Sequence, residues 1–243
     1  MNETICLIRR DLHLLKNVSM KRAVLYAASV LILDLFFLAA GSEGLFMNSI
    51  YGVTAELFRQ EPGLFPYHWL WLQLGVVLTA FDFVREDLYL HSSNVIVKLK
   101  YRGSYWISKL ISGAVYCLII TVFCTAEKIF LMKLFMMGEA GTIHMDAEKI
   151  LQFAAGLFLC MLALFCIYSL LSIVMPDIVS FLAVILGICA GLPSGSDFFM
   201  INHVMLCRSS MPGGILYIAA VCIICLLAGT LLLRSRDIIT FER

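Results

Sequence analysis

The chain alternates between long apolar runs and shorter polar segments. A membrane-spanning helix needs about 20 apolar residues, and six runs reach or approach that length. The pattern predicts spans at about 23–41, 67–84, 110–126, 150–175, 178–196 and 212–233. Helices are favoured over barrel strands because apolar residues follow one another without alternating with polar ones. The sequence therefore predicts an all-α membrane protein forming a single transmembrane domain over residues 1–243.

The residues before the first run have a different pattern. From Ile5 to Leu15, apolar residues recur at helical spacing while basic residues occupy the other face. This predicts an amphipathic helix over 5–20 that lies at the membrane surface and turns into the first span at Lys21-Arg22. A cleaved signal peptide is disfavoured, because the apolar core of a signal is only about 7–15 residues long.

Composition and charge agree with a membrane protein. Apolar residues make up 61% of the chain and charged residues 14%, with a mean hydropathy of +0.93. With the N-terminus inside, thirteen basic residues fall on the inner side and five on the outer side. Positive-inside bias then predicts that both termini are cytoplasmic. The net charge of +1, with no basic stripe, argues against nucleic-acid binding.

Shorter elements are expected between the spans. We predict a short interfacial helix around Thr54–Gln60, a helix around 87–100 across the inner membrane face, and a re-entrant or interfacial hairpin at 193–211. Glu127 and Lys128 open a segment that either continues the third span or lies at the interface.

Missing motifs restrict the chemistry. The chain has no GxxxxGK[ST] and no HExxH motif, so we expect neither ATP binding at a P-loop nor a zinc hydrolase. Of nine cysteines, seven fall in predicted spans, and the CxxC pair Cys222 and Cys225 is interpreted as small buried apolar side chains. We therefore expect no metal or cofactor in this chain and no enzymatic activity.

Asp34 is the most unusual single residue. A carboxylate in the middle of a span costs about 2.5–3.5 kcal/mol on insertion scales. It either lines a polar translocation path or makes a packing contact inside the bundle, and both interpretations stay open. Because Asp34→Asn removes an ionisable group from that depth, we expect the variant to insert at least as well as the native chain.

The long inner loop is the most polar part of the chain and carries a family resemblance. It reads Asp82-Phe83-Val84-Arg85-Glu86-Asp87, then Val95-Ile96-Val97-Lys98-Leu99-Lys100-Tyr101-Arg102-Gly103-Ser104 and Tyr105-Trp106-Ile107-Ser108-Lys109. Together with the topology, this resembles the ABC-2 type permeases, the membrane subunits of bacterial ABC exporters. It looks like the small permeases of Gram-positive bacteria, which are often linked to antimicrobial-peptide export or immunity.

The resemblance implies a coupling helix at 86–102 that docks on a separate ATPase subunit, where ATP and Mg²⁺ bind. The implied coupling residues are Glu86, Asp87, Leu88, Leu90, Val95, Lys98, Lys100 and Arg102. Two permease chains, identical or different, would stand in the bacterial plasma membrane. A peptide, lipid or drug-like substrate would pass between them, near the first and fifth spans.

Gly187 and Gly191 form a GxxxG step in the fifth predicted span. Such a step lets two helix backbones approach closely, either at an interface between two permease chains or within one bundle. Two other classes of function stay open. A stand-alone membrane carrier or immunity protein would need no ATPase. An intramembrane enzyme would need ionisable residues clustered at one depth, where the sequence places only Asp34.

Overall fold

The computed structural model describes residues 3–60, 66–84, 87, 102–136, 147–194, 199, 202–203, 205–208 and 211–235. These residues are almost entirely helical and contain no strand, which confirms the all-α class. The helices are α1 (Glu3–Ala39), α2 (Glu43–Tyr51), α3 (Ala55–Gln60), α4 (Tyr67–Thr79), α5 (Arg102–Met136), α6 (Ala147–Val174), α7 (Asp177–Gly191) and α8 (Met211–Ser235).

Four of these helices are long and apolar enough to cross a membrane. They are α1, α6 and the stretches Gly103–Phe135 of α5 and Gly213–Arg234 of α8. The helices at the second and fifth predicted spans are shorter, with 13 residues in α4 and 15 in α7. The described residues are thus consistent with a membrane protein.

α1 is one continuous helix, so the predicted turn at Lys21-Arg22 is wrong. No glycine or proline interrupts this stretch. One buried stripe also runs along its whole length, through Leu7, Asp11, Leu15, Ser19, Tyr26, Val30 and Asp34. Steps of three or four residues keep a stripe on one face of a helix. The N-terminal residues therefore pack on the same bundle as the first span.

α5 is the main partner of α1. It extends well beyond the predicted span 110–126, because Glu127 and Lys128 continue the helix without a breaker. Ion pairs join Asp11 to Lys109 and Asp34 to Lys128. Residue numbers rise together in both pairs, so the two helices run parallel.

α4 ends three residues before Asp82, whose φ of 70° lies in the left-handed region. Aspartate tolerates this conformation better than most side chains. The Arg22 guanidinium donates to the Phe81 carbonyl oxygen at 2.6 Å and lies 3.5 Å from the Asp82 carboxylate. The Asp82 N–H donates to the Tyr168 hydroxyl at 3.3 Å. These contacts fix the residues that follow α4 against Arg22 of α1 and Tyr168 of α6.

Close helix packing depends on glycines at two of the contacts. The ring of Tyr26 occupies the place where a Cβ of Gly75 would stand, and the ring of Phe165 does the same at Gly113. The Tyr26 hydroxyl also donates to the Leu72 carbonyl oxygen at 3.0 Å. Apolar side chains from α1, α4, α5, α6 and α8 then fill the core around these contacts.

The predicted connecting elements have mixed outcomes. The short helix at 54–60 is present as α3, whereas α2 was not predicted. The helix expected around 87–100 lies outside the described residues, apart from Asp87. In 193–211, Arg208 donates to the carbonyl oxygens of Val53 and Leu192 at 2.6 and 3.0 Å. These bonds attach that segment to the end of α7 and to the residues after α2.

Candidate functional site

Two clusters of buried charged side chains join α1 to α5. We call the first the Asp87 cluster; its members are Arg10, Asp11, Asp87, Tyr105, Ser108 and Lys109. We call the second the Asp34 cluster; its members are Asp34, Ser49, His68, Glu127 and Lys128. Asp11 and Asp34 are about 34 Å apart along α1, which exceeds the roughly 30 Å of a bilayer's hydrocarbon core. The clusters therefore lie toward opposite ends of the bundle.

The Asp87 cluster holds three segments of the chain together. The Lys109 ammonium, fully buried, lies 2.7 Å from Asp87 and 3.2 Å from Asp11. Arg10 bridges the same two carboxylates at 2.6 and 2.8 Å. The hydroxyl of Tyr105 donates to Asp87 at 2.7 Å, and that of Ser108 donates to Asp11 at 2.6 Å.

These contacts keep Asp87 ionised. Burial alone would raise the pKa of the Asp87 carboxyl, but the Lys109 ammonium, the Tyr105 hydroxyl and the Arg10 guanidinium outweigh burial and hold that pKa below its ordinary value. The charges of the cluster sum to zero, because the two cations Arg10 and Lys109 face the two carboxylates Asp11 and Asp87. The Asp87 cluster holds together the start of α1, the start of α5 and the segment that follows α4, and we therefore also call it the clasp.

In the Asp34 cluster, Lys128 is the central group. Its ammonium lies 2.6 and 2.7 Å from the two carboxylate oxygens of Asp34 and 2.7 Å from the Ser49 hydroxyl oxygen. The ring of Phe46 lies beside it, with the centroid 4.8 Å from the nitrogen. Helices α1, α2 and α5 thus meet at one ammonium group.

His68 brings α4 into the same cluster. Its Nε2 atom is 2.9 Å from Asp34 Oδ1 and 3.5 Å from the Lys128 nitrogen. Its Nδ1 atom is buried and has no hydrogen-bond partner among the described residues. The nearby carboxylate identifies Nε2 as the nitrogen that carries hydrogen.

Glu127 is the fifth member and the least well paired. It is only 9% exposed, and neither of its carboxyl oxygens has a hydrogen-bond partner among the described residues. It interacts electrostatically with Asp34 and Lys128. Buried polar groups are nearly always satisfied in folded proteins, so this one requires an explanation.

The chemistry that this arrangement can support is proton or charge exchange. The described residues contain no group of three or more His, Cys, Asp or Glu side chains placed to hold a metal ion. Ser49 contacts a lysine, as in some hydrolases, but it is fully buried and donates to the Phe46 carbonyl oxygen at 2.6 Å. Its hydroxyl group is therefore not presented to a substrate in this conformation.

The predicted site residues lie in three different places. Asp34 is fully buried and paired with Lys128. Asp87 belongs to the clasp, and Arg102 begins α5. The remaining predicted coupling residues lie outside the described part of the chain; they are Glu86, Leu88, Leu90, Val95, Lys98 and Lys100. Gly187 has open space around its Cα, whereas Gly191 is buried.

Sequence reasoning missed four members of the Asp34 cluster. Glu127 and Lys128 fall just outside the predicted span 110–126, His68 lies at the start of the predicted span 67–84, and Ser49 lies between the first two predicted spans. One sequence feature could have indicated the pairing. No helix breaker follows residue 126, so the third span could continue as a helix through Lys128, and that lysine could then face the buried Asp34 of α1.

No protein-family model, curated protein or solved structure matches this chain. The resemblance to ABC-2 permeases therefore rests on the loop residues and the arrangement of spans alone.

Proposed function

We propose that the chain is the membrane-spanning permease subunit of a bacterial ABC exporter, with six spans and both termini in the cytoplasm. ATP and Mg²⁺ bind to a separate ATPase subunit, and a second permease chain completes the translocation unit in the plasma membrane. The substrate is a peptide, a lipid or a drug-like molecule.

The Asp87 cluster is the observation that carries the proposal. The proposed coupling helix spans residues 86–102, and the clasp holds the chain at the start of this segment and just after its end. Asp87 lies at its start, Tyr105 and Lys109 follow it, and Arg10 and Asp11 of α1 bind to both of these places. A permease without a P-loop must receive mechanical work from its partner at such a point.

The clasp also supports transmission of that work. A displacement of the coupling segment would move the start of α1 and the start of α5 together, since charged contacts join them. Both helices are long, with 37 and 35 residues, and they stay paired as far as Asp34 and Lys128. Movement at one end of the bundle would therefore reach the other end through a stiff pair of helices.

Disruption of the docking surface tests the proposal. We expect Leu90→Asp combined with Val95→Asp to abolish co-purification of the ATPase while membrane insertion stays normal. Leu57→Asp is the matched control, because Leu57 is an exposed apolar residue of α3, which we place on the opposite side of the membrane. Retention of the ATPase by the double variant, with normal yield and stimulated turnover, would refute the docking assignment.

A stand-alone carrier or immunity protein is the second candidate function. The Asp34 cluster favours it, since carriers that need no ATPase use ionisable groups within the membrane. Expression in a host that lacks any partner ATPase separates the two functions. Transport or resistance in that host would support the carrier, and its dependence on an added ATPase would support the permease.

A further inference from the structure

The Asp34 cluster is short of one positive charge. It contains two carboxyl groups, Asp34 and Glu127, but apart from His68 only one side chain that can be cationic, Lys128. With both carboxyl groups ionised and His68 neutral, the cluster would carry one unbalanced negative charge among side chains that are at most 9% exposed. Burial of an unbalanced charge is expensive, so the cluster needs one proton. The geometry decides which residue holds that proton.

His68 is poorly placed to hold it. The Nε2–H group already points at Asp34, so a second proton would have to bind at Nδ1. That atom is buried with no acceptor among the described residues. The resulting imidazolium would also stand 3.5 Å from the Lys128 ammonium, and like charges at that separation disfavour protonation.

Asp34 is also poorly placed to hold the proton. Its two oxygens receive the Lys128 ammonium at 2.6 and 2.7 Å and the His68 Nε2–H group at 2.9 Å. All of these donors favour the ionised form. Glu127 has no such donor at either oxygen. As a neutral acid, it could instead donate to Asp34, with which it interacts.

We propose that Glu127 is a proton-binding site inside the bundle: it is a neutral carboxylic acid at neutral pH and hydrogen-bonds to the Asp34 carboxylate. This site does not depend on an ATPase partner. When Glu127 loses its proton, it competes with Asp34 for the Lys128 ammonium, so proton release weakens the contact that joins α1 to α5. The ligand is a proton, and its release is coupled to the packing of these two helices.

Among the described residues, two further titratable groups interact with Glu127, and neither provides the missing charge. They are Tyr26 from α1 and Cys124 from α5 itself. The Tyr26 hydroxyl donates to a backbone carbonyl oxygen of α4. Ser49, from α2, is not titratable at ordinary pH. The proton therefore stays with the carboxyl pair.

Thermal unfolding in detergent micelles as a function of pH tests the proposal. An unfolded glutamate is ionised above about pH 4.3, so the native state binds one more proton than the unfolded state. The free energy of unfolding then falls as pH rises. The unfolding equilibrium constant increases by up to tenfold per pH unit until Glu127 ionises in the native state. Glu127→Gln should remove this fall and should be more stable than the native chain at alkaline pH. Glu56→Gln, an exposed carboxyl on α3, is the matched control and should leave the pH profile unchanged.

Parallel pH profiles of the native chain and Glu127→Gln would overturn the proposal. Infrared spectroscopy of the native chain supplies a second measurement that needs no variant. A neutral carboxylic acid has a carbonyl stretch distinct from the carboxylate bands, and we expect it at neutral pH and its loss at alkaline pH. Absence of that band at neutral pH would equally overturn the proposal, even if Glu127→Gln fails to fold.

Discussion

The ammonium of Lys128 lies between the two carboxylate oxygens of Asp34, at 2.6 and 2.7 Å, and at most 1% of either side chain is exposed. Removing one member of such a pair leaves the other charge buried without compensation, which typically costs about 3–5 kcal/mol. The pair is therefore a structural joint between α1 and α5, whatever else Asp34 does.

The first prediction reverses the expectation from sequence alone. We now expect Asp34→Asn to unfold at a lower temperature than the native chain and to accumulate less in the membrane, because Lys128 loses the carboxylate that holds it at 2.6 and 2.7 Å, and Glu127 can replace that charge only by giving up its proposed proton. Lys128→Met should have a similar effect. The double variant Asp34→Leu with Lys128→Met should recover most of the loss, since no unpaired charge remains between them. Thermal unfolding in micelles measures all three.

The same set of variants separates a structural role from a role in translocation. If the double variant regains stability but not transport, Asp34 acts in the path as well as in the joint. If stability and transport return together, the pair serves packing only. An Asp34→Asn protein as stable as the native chain would contradict the geometry of the pair.

The second prediction concerns pH and the clasp. Because Lys109, Tyr105 and Arg10 hold the pKa of Asp87 below its ordinary value, Asp87 stabilises the fold above the unfolded pKa of about 3.9, and this contribution is lost as pH falls through the lower folded value. We expect Asp87→Asn to cost about 1.5–3 kcal/mol at neutral pH, as for a hydrogen bond to a charged group. The deficit should shrink below about pH 4.

Melting temperatures of the native chain and Asp87→Asn across this pH range make the comparison. Glu148→Gln is the control, because Glu148 is exposed at the start of α6. If the stability deficit of Asp87→Asn stays constant down to the lowest pH, Asp87 stabilises the fold through packing and not through its charge. This pH dependence is opposite in sign to that proposed for Glu127, so the two sites can be distinguished in one experiment.

Local sequence features predicted the helical parts of this fold. α6 begins and ends within three residues of the predicted span 150–175, because the length of an uninterrupted apolar run is a local property. The continuity of α1 was missed, although its stripe from Leu7 to Asp34 is periodic. Basic residues on the other face, and the change in composition at Lys21, obscured that stripe.

The candidate site could be predicted only in part. Asp34 was identified because a carboxylate within an apolar run is anomalous in itself. Its partners were not, because pairing depends on which distant helices meet: Lys128 is 94 positions away, and Ser49 belongs to α2, a nine-residue helix that was not predicted. A hydropathy scan assigns charged residues to loops, so it misses those whose charges are neutralised inside a bundle.

The third prediction concerns the orientation of the chain. Cys6 on α1 and Cys207 before α8 are the exposed cysteines among the described residues. The proposed topology places them on opposite sides, with Cys6 in the cytoplasm. A membrane-impermeant maleimide added to intact cells should label the native chain and Cys6→Ser, but not Cys207→Ser. Mildly alkaline pH aids the reaction, because the thiolate is the form of cysteine that reacts.

Permeabilised cells provide the control for this labelling. After permeabilisation, Cys207→Ser should be labelled at Cys6. Labelling of Cys207→Ser in intact cells would place the start of α1 outside and would refute the proposed orientation.

The fourth prediction concerns the second permease chain. Gly187 is exposed on α7 and a Cβ there meets nothing within 4 Å, whereas the neighbouring Gly191 is buried within the chain. Gly187→Ala should therefore be tolerated, and should stabilise the folded chain by up to about 1 kcal/mol through helix propensity. Gly113→Ala, the matched comparison, should destabilise it, because the Phe165 ring occupies the place of the new methyl group.

A larger side chain at the same position then tests for an interface. If two permease chains meet at Gly187, Gly187→Leu keeps their backbones apart and should abolish the cross-linked dimer, while the melting temperature of the single chain stays close to the native value. Chemical cross-linking in membranes followed by denaturing electrophoresis measures the dimer directly. A dimer that forms as efficiently with Gly187→Leu as with the native chain would exclude this face of α7 from the interface. The exposed glycine would then be a site of lipid contact.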